Sequence, residues 1–361
     1  MKICLLAGEA SGDLHAANLV KEMRLQNSDL DLFGFGGDRM AAEGVRIDKH
    51  YREMAFMGFL EVVKNLKSIK RNFNDLYAIL EKEMPEKIIL IDFPGFNLRV
   101  AKWAKAKGIE VIYYISPQIW AWKKKRVFTI KKVVDKMLCI LPFEKDFYAQ
   151  FDVTVDYVGH PLIDEIERRK KEFDLSDISE QYIALLPGSR NQEISKMLPL
   201  MLKLAALFSA KKFKIGKAPT QDRAYYEKFN LPSNVELFER GSSLLLQNAE
   251  AAVVTSGTAT LETALYKVPQ VVVYSASAVS YQIAKRVINV KYISLVNLIL
   301  DRELVKELIQ RDFNLTRLKS ELELLLNEAK RNEILQGYDE LEQKLGGTGA
   351  SARAAKLVLS T

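Results

Sequence analysis

Cysteine and histidine are both scarce in this chain, two of the first and three of the second in 361 residues. Cys4 and Cys139 each sit in an apolar run with no partner ligand at metal-site spacing. That excludes a disulfide framework or a Cys/His zinc module and leaves two reduced, buried thiols. Long hydrophobic runs are missing too: stretches such as Lys87–Ile91 and Val268–Tyr274 fall far short of the roughly 20 apolar residues that cross a bilayer. No Gly-Lys-Ser/Thr completes a Walker phosphate loop, and neither a repeat of fixed period nor a low-complexity segment is visible. The opening Met1-Lys2-Ile3-Cys4-Leu5-Leu6-Ala7 gives way at once to Gly8-Glu9 and Ser11-Gly12-Asp13. This is too short for the apolar core of a secretory leader and reads as a buried first strand, so the protein is expected in the cytoplasm.

What is present is an alternation of short apolar runs with amphipathic stretches. Lys2–Ala7, Leu32–Phe35, Lys87–Ile91, Glu110–Ile115, Lys136–Ile140 and Val155–Val158 read as strands. A charged stretch from Glu165 to Glu180 interrupts the pattern. It resumes with Tyr182–Leu186, Lys212–Ile215, Val235–Phe238, Ala251–Thr255 and Gln270–Tyr274. Strands alternating with helices predict parallel sheets covered on both faces, and the length exceeds what one core serves. We expect an α/β protein of two lobes, residues 1–165 and 166–335, with 336–361 a helical tail able to cross back to the first lobe.

Open parallel sheets bind ligands beyond the carboxyl ends of their strands, and several loops there carry chemistry. Leu186-Pro187-Gly188-Ser189-Arg190 and Thr255-Ser256-Gly257-Thr258-Ala259-Thr260-Leu261-Glu262 each follow a strand and open a helix. Unpaired N–H groups and the helix dipole favour phosphate at such starts, and small residues let it approach. Arg190 suits bidentate contact with a diphosphate. Glu262 fits either ribose hydroxyls or a capping box serving Ala259, and Ser256 and Thr258 either a ligand or a cap. Asp92 emerges from an apolar strand beside Phe93, Phe96 and Asn97. It reads equally as a desolvated general base or as a turn aspartate near Pro94. His160, in Val158-Gly159-His160-Pro161, reads as a ring that bonds the backbone where one lobe hands over to the next.

The net formal charge of +7 is clustered. Lys123-Lys124-Lys125-Arg126 and Lys131-Lys132 form one group, and Lys64, Lys67, Lys70 and Arg71 another; each suits a solvated face or an anionic partner. The second group flanks a helical stripe of Met57, Leu60, Val63, Leu66, Ile69, Phe73, Leu76 and Leu80, with Met54, Phe56, Phe59 and Val62 outside it. That stretch reads as a core helix or as one lying in a membrane interface. No nucleic-acid-binding module is recognised.

Taken together, Gly8-Glu9-Ala10-Ser11-Gly12-Asp13, Met57-Gly58 with Glu61-Val62, Ile91-Asp92 with Phe96-Asn97, Ser116-Pro117-Gln118-Ile119-Trp120-Ala121-Trp122, Leu141-Pro142-Phe143-Glu144, Val158-Gly159-His160, Leu185-Leu186-Pro187-Gly188-Ser189-Arg190, Ser256-Gly257-Thr258-Ala259 and Tyr292-Ile293-Ser294-Leu295 with Asn297-Leu298 resemble the lipid-A-disaccharide synthase family, in order and over nearly the whole chain. The resemblance implies two Rossmann-like lobes of the GT-B glycosyltransferase type with an interlobe cleft. It further implies a metal-independent, cofactor-free inverting transferase that joins UDP-2,3-diacylglucosamine to 2,3-diacylglucosamine 1-phosphate through a β-1,6 linkage, releasing UDP. In its light Asp92 is the general base, with Arg190 a catalytic partner. Gly188, Ser189, Arg190, Ser256, Gly257, Thr258, Ala259, Glu262 and Asn297 bind the donor nucleotide, and Ser11, Gly12 and Asp13 line the acceptor side. Met57, Leu60, Val62, Val63, Leu66 and Ile69 then form the acyl-chain or membrane surface of a protein peripheral to the cytoplasmic face of the inner membrane. The competing expectations are a UDP-N-acetylglucosamine epimerase or other UDP-sugar enzyme of the same fold, and a nonenzymatic lipid or nucleotide binder.

Overall fold

A computed structural model describes residues 1–54, 66–172, 180–277, 281–282, 286 and 290–360. The chain divides into two units, Met1–Pro161 together with Thr348–Thr361, and Leu162–Gly347.

The first unit is built on seven strands: β1 (Lys2–Ala7), β2 (Asp31–Gly36), β3 (Arg46–His50), β4 (Lys87–Ile91), β5 (Glu110–Tyr114), β6 (Lys136–Cys139) and β7 (Asp156–Tyr157). They lie parallel in the order β3-β2-β1-β4-β5-β6-β7. Residues Lys87 to Ile91 are all buried, because a parallel strand covered by helices on both faces has no wet side. The strand order reverses between β1 and β4. The loops leaving those two strands therefore diverge and open a crevice, which is the general ligand position in doubly wound sheets.

The second unit repeats the plan with β8 (Tyr182–Leu186), β9 (Phe213–Gly216), β10 (Val235–Phe238), β11 (Ala249–Thr255), β12 (Gln270–Tyr274) and β13 (Glu307–Ile309). These run parallel in the order β10-β9-β8-β11-β12-β13, so its reversal falls between β8 and β11.

Two edge strands, β3 and β13, were not expected from the sequence. Arg46–His50 is charged and only partly covered, and Glu307–Ile309 is three residues long, so neither carries the apolar run that marks a buried strand.

The helix Ala350–Leu359 belongs to the first unit and packs on the helix Ala10–Gln26. Its last carbonyls are bound by two lysines rising from the sheet. Lys87 Nζ donates to Val358 O at 2.9 Å and Ser360 O at 3.1 Å, and Lys136 Nζ to Leu357 O at 3.1 Å and Ser360 O at 2.8 Å. Cations at a helix C-terminus satisfy the orphan carbonyls and oppose the negative end of the dipole. Arg353 Nε adds a bond to Val158 O at 2.8 Å.

Candidate active site

The crevice of the first unit is lined by the loops after β1 and β4, and Asp92 is the first residue beyond β4 there. Asp92 and Phe93 both have left-handed backbones, with φ of 42° and 47°. Two successive non-glycine residues in that region carry a strain of about 1–2 kcal/mol each. The loop persists because its carbonyls are clamped. Asn97 Nδ2 donates to Ile91 O at 3.1 Å and to Asp92 O at 2.8 Å, and Tyr113 Oη also donates to Asp92 O. Phe93 caps the helix Pro94–Ala106, whose first residue is proline and so needs no N–H partner. The Phe93 ring fills the space a side chain at Gly8 would need, since a Cβ there would lie 2.4 Å from Phe93 Cδ1. Gly8 is thus required by close approach.

The result is a carboxylate presented at the rim rather than buried under it. Asp92 reaches solvent, yet the protein crowding it and the nearby charge of Glu9 lift its pKa to about 6. Such an acid is ionised at neutral pH and still basic enough to take a proton from an alcohol in a transition state.

Ser11 is exposed at the start of the helix Ala10–Gln26, and Gly12 is buried against β1, where a Cβ would touch that of Ala7 at 3.4 Å. Asp13 is 2% exposed, and its carboxylate accepts from Gly37 N at 2.7 Å, Arg39 N at 3.1 Å and Met40 N at 3.2 Å. It therefore fixes the turn into the helix Asp38–Ala42, a local task that sequence reading did not assign to it.

In the second unit both phosphate-type loops fall at the strand-order reversal, but they differ. After β8, Gly188 has φ 111° and lies so close to Glu193 that a Cβ would be 2.6 Å from that of Glu193. Glu193 Oε2 accepts from Ser189 N at 3.0 Å and Arg190 N at 3.3 Å. These donors were expected to be open to an anion, and a carboxylate three residues into the helix has taken them instead. What this loop offers is the Arg190 guanidinium, largely exposed and 3.4 Å from Glu193 Oε1.

After β11 the start is open. Gly257, with φ 154°, precedes the helix Thr258–Leu265 without any side-chain cap, and both Gly257 and Thr258 are exposed. A Cβ on Gly257 would meet nothing within 4 Å, so its glycine serves the backbone conformation and leaves room in front of the N–H groups. Ser256 does not cap the helix, since its hydroxyl donates to Ile293 O at 2.8 Å. Ala259 is half-buried in the first turn.

Glu262 is not a capping-box acid for Ala259. Its carboxylate accepts from Ser242 Oγ at 3.0 Å and Ser243 Oγ at 3.1 Å, and burial raises its pKa. Asn297 is fully buried and saturated: Nδ2 donates to Val305 O and Glu307 Oε1, and Oδ1 accepts from the N–H groups of Leu304 and Val305. Glu307 also accepts from the N–H groups of Ile293 and Ser294. Asn297 thus acts by holding the segment that Ser256 bonds to. Ser242, Ser243 and Glu307 escaped sequence reading because their partners lie 10 to 20 residues away and meet only in the fold, whereas Glu193, three residues after Arg190, carried the local signal of a capping-box acid.

His160 is buried, and burial with the charge of His15 depresses its pKa to about 3, so it stays neutral. Of the stripe, Phe73, Leu76 and Leu80 are core residues of the helix Leu66–Glu83, with Phe73 stacked on Phe96 at 4.2 Å between ring centres. Ile69 is half-buried. Met57, Leu60, Val62 and Val63 lie outside the described residues, and Leu66 opens the helix Leu66–Glu83.

The sequence profile described as Lipid-A-disaccharide synthetase matches residues 3–360. The chain is 41% identical to a lipid-A-disaccharide synthase of Myxococcus xanthus over 99% of this chain and 97% of the relative. It is 39% identical to that of Trichlorobacter lovleyi with the same coverage. Among solved structures, the glycotransferase of kitacinnamycin superposes with a TM-score of 0.68 at 16% identity, covering 99% of this chain and 98% of that one. A UDP-GlcNAc 2-epimerase from Methanocaldococcus jannaschii, solved with UDP-GlcNAc and UDP, gives 0.67 at 14% with 99% of both chains covered. Likenesses this distant in sequence report the shared fold alone.

Proposed function

The chain belongs to the lipid-A-disaccharide synthase family and is a glycosyltransferase of lipid A disaccharide synthesis, and from that premise we propose a single-displacement, inverting mechanism run by its own side chains. The donor is UDP-2,3-diacylglucosamine and the acceptor 2,3-diacylglucosamine 1-phosphate. Asp92 accepts the proton of the acceptor 6-hydroxyl as its oxygen attacks the anomeric carbon from the face opposite UDP. The new β-1,6 bond forms as the anomeric carbon–phosphate oxygen bond breaks, and UDP leaves with the electron pair. One displacement inverts the centre.

The observation that carries this reading is Asp92 itself, a carboxylate of pKa about 6 at the switch point of a doubly wound sheet. The leaving diphosphate is met by the N–H groups of the helix Thr258–Leu265 and by Arg190. Charge placed in advance where negative charge develops lowers the barrier. Gly188 and Ser189 shape the turn that presents Arg190, Ser256 and Asn297 brace the second loop, and Glu262 is assigned to the ribose. Cations of the chain supply the charge compensation here, so the reading is metal-independent. Ser11 and the buried Gly12 bound the acceptor side of the first crevice.

Both substrates are acylated, which gives the enzyme reason to work at the cytoplasmic face of the inner membrane. Among the described residues no helix is long and apolar enough to cross a membrane, in keeping with peripheral attachment. The epimerase alternative rests on a likeness of fold alone, whereas full-length relatives at 36–41% identity carry the synthase name.

The test is an assay of the purified chain with the two acylated substrates in detergent, following UDP and disaccharide and reading the anomeric configuration by NMR. A β-linked product whose formation is unchanged by EDTA supports the mechanism. An α-linked product, or turnover abolished by chelation and restored by a divalent cation, overturns it.

A further inference from the structure

One chemically distinctive segment takes no part in the mechanism. Between Val111 and Val134 the chain carries six Lys and Arg residues and no Asp or Glu. The turn Lys124–Arg126 runs into the helix Val127–Val133, in which Val127 and Ile130 are buried while Phe128, Lys131 and Lys132 are exposed. Two aliphatic side chains thus hold the segment to the unit and turn the rest outward. Trp122 is 46% and Phe128 55% exposed.

The Lys123 ammonium stands 4.0 Å from the centre of the Trp122 ring, and the Arg126 guanidinium 5.9 Å from it. Phe128 meets Phe151 edge-on at 5.8 Å, and Lys131 Nζ donates to Phe151 O, so the exposed aromatics each stand in a fixed cluster with cations along one short segment. Among the described residues none of the six cations is paired with a carboxylate, although ion pairs are plentiful elsewhere on this unit. Large aromatics beside uncompensated lysines match the boundary between lipid headgroups and acyl chains.

Position favours a bilayer over nucleic acid. The segment leaves β5, the neighbour of β4, and the charge of Arg126 is felt by the Tyr113 hydroxyl that holds the Asp92 carbonyl. A lipid-borne acceptor has to arrive there.

We propose that Trp122, Phe128 and the cations of residues 123–132 dock the chain on an anionic phospholipid surface, a contact separate from the apolar stripe of residues 57–69. The inference rests on the synthase reading for its purpose, and its test is independent of it. Sedimentation of the full chain with vesicles of phosphatidylcholine, with and without phosphatidylglycerol, reads the surface directly. Duplex DNA serves as competitor, and turnover on detergent-dispersed substrates is measured in parallel.

Each lysine close to an anionic leaflet contributes on the order of fivefold in affinity. Combined Lys124→Glu, Lys125→Glu and Lys131→Glu should therefore weaken binding to phosphatidylglycerol vesicles more than tenfold and flatten its salt dependence. Phe128→Ser should weaken it severalfold and leave the salt dependence intact. Turnover in detergent should stay within twofold for both, and Lys124→Gln with Lys125→Gln gives a milder variant should the reversal fail to fold. Vesicle binding of the charge-reversed chain within twofold of wild type overturns the proposal, as do equal binding to purely zwitterionic vesicles and displacement by duplex DNA. Absence of turnover by the wild type in detergent would count against the synthase reading and leave the vesicle comparison standing.

Discussion

Asn97 holds Asp92 by its carbonyl, not its carboxylate: the amide nitrogen bonds Asp92 O at 2.8 Å and Ile91 O at 3.1 Å, six residues back along the chain. The reactive group stays open to substrate while its backbone is locked in a conformation it would otherwise leave. Asn97→Ala should lower kcat by at least tenfold with a smaller change in KM. It should cost about 1–3 kcal/mol of stability, because Ile91 O and Asp92 O each lose the amide donor and Asp92 O is left to Tyr113 Oη. Steady-state kinetics and urea unfolding check both halves.

Asp92→Asn keeps the shape and removes the base, and general bases contribute about 10²–10⁴ in rate. Turnover should drop by that order while UDP binding, followed by calorimetry, stays within twofold. In the wild type log kcat/KM should fall with unit slope as pH drops below about 6, where the raised pKa leaves the carboxyl protonated. A profile flat down to pH 4.5 would remove Asp92 from the role.

Arg190→Lys keeps a positive charge and loses the planar fork that meets two phosphate oxygens at once. We expect kcat reduced by roughly tenfold or more and donor KM raised. Glu193→Gln probes the same turn differently. The amide carbonyl still receives Ser189 N and Arg190 N, and the ion pair with Arg190 is gone, so turnover should change by less than threefold.

His160 is buried in neutral form, with its pKa lowered from 6.5 to about 3. The unfolded ring takes a proton below 6.5 and the folded ring does not until about 3. The contribution of the neutral ring is therefore complete above pH 6.5 and is lost as pH falls towards 3, by up to about 1.4 kcal/mol per pH unit for one proton. Urea unfolding of wild type and His160→Gln between pH 7 and 4.5 should show wild type losing more stability, with the difference growing as pH falls.

Lys87 is 5% exposed, donates to two carbonyls at the end of the helix Ala350–Leu359 and stands 3.2 Å from Glu110 Oε2. Lys87→Met leaves Val358 O without its cation and leaves Ser360 O and Glu110 to Lys136 alone. The loss should be about 2–4 kcal/mol. Hydrogen exchange should show the helix Ala350–Leu359 opening first.

Strands covered on both faces were legible as unbroken apolar runs, as with Lys87–Ile91 and Tyr182–Leu186, and strand ends told where to look for chemistry. Asp92 drew notice because it follows such a run directly, although its residue type alone fits a general base and a turn aspartate equally. Arg46–His50 escaped because an edge strand is wet on one side and its charges hide the pattern. Glu193 stands within one helical turn of Ser189 and Arg190, so its closing of their donors was open to reading as a capping box; the full engagement of Asp13 and Asn297 was invisible for another reason. A side chain's type states what it is able to bind, and only the fold states what already binds it.

The helix Ala350–Leu359 has a consequence for biosynthesis. Residues 348–361 leave the ribosome after all of Leu162–Gly347, yet they complete the unit that emerges first. Until then Lys87 and Lys136 have no carbonyls to bind, and the flank of the helix Ala10–Gln26 lies bare. The unit bearing Asp92 is thus sealed last during synthesis, and a truncated product would carry an unsealed Asp92 half beside a finished Leu162–Gly347 unit.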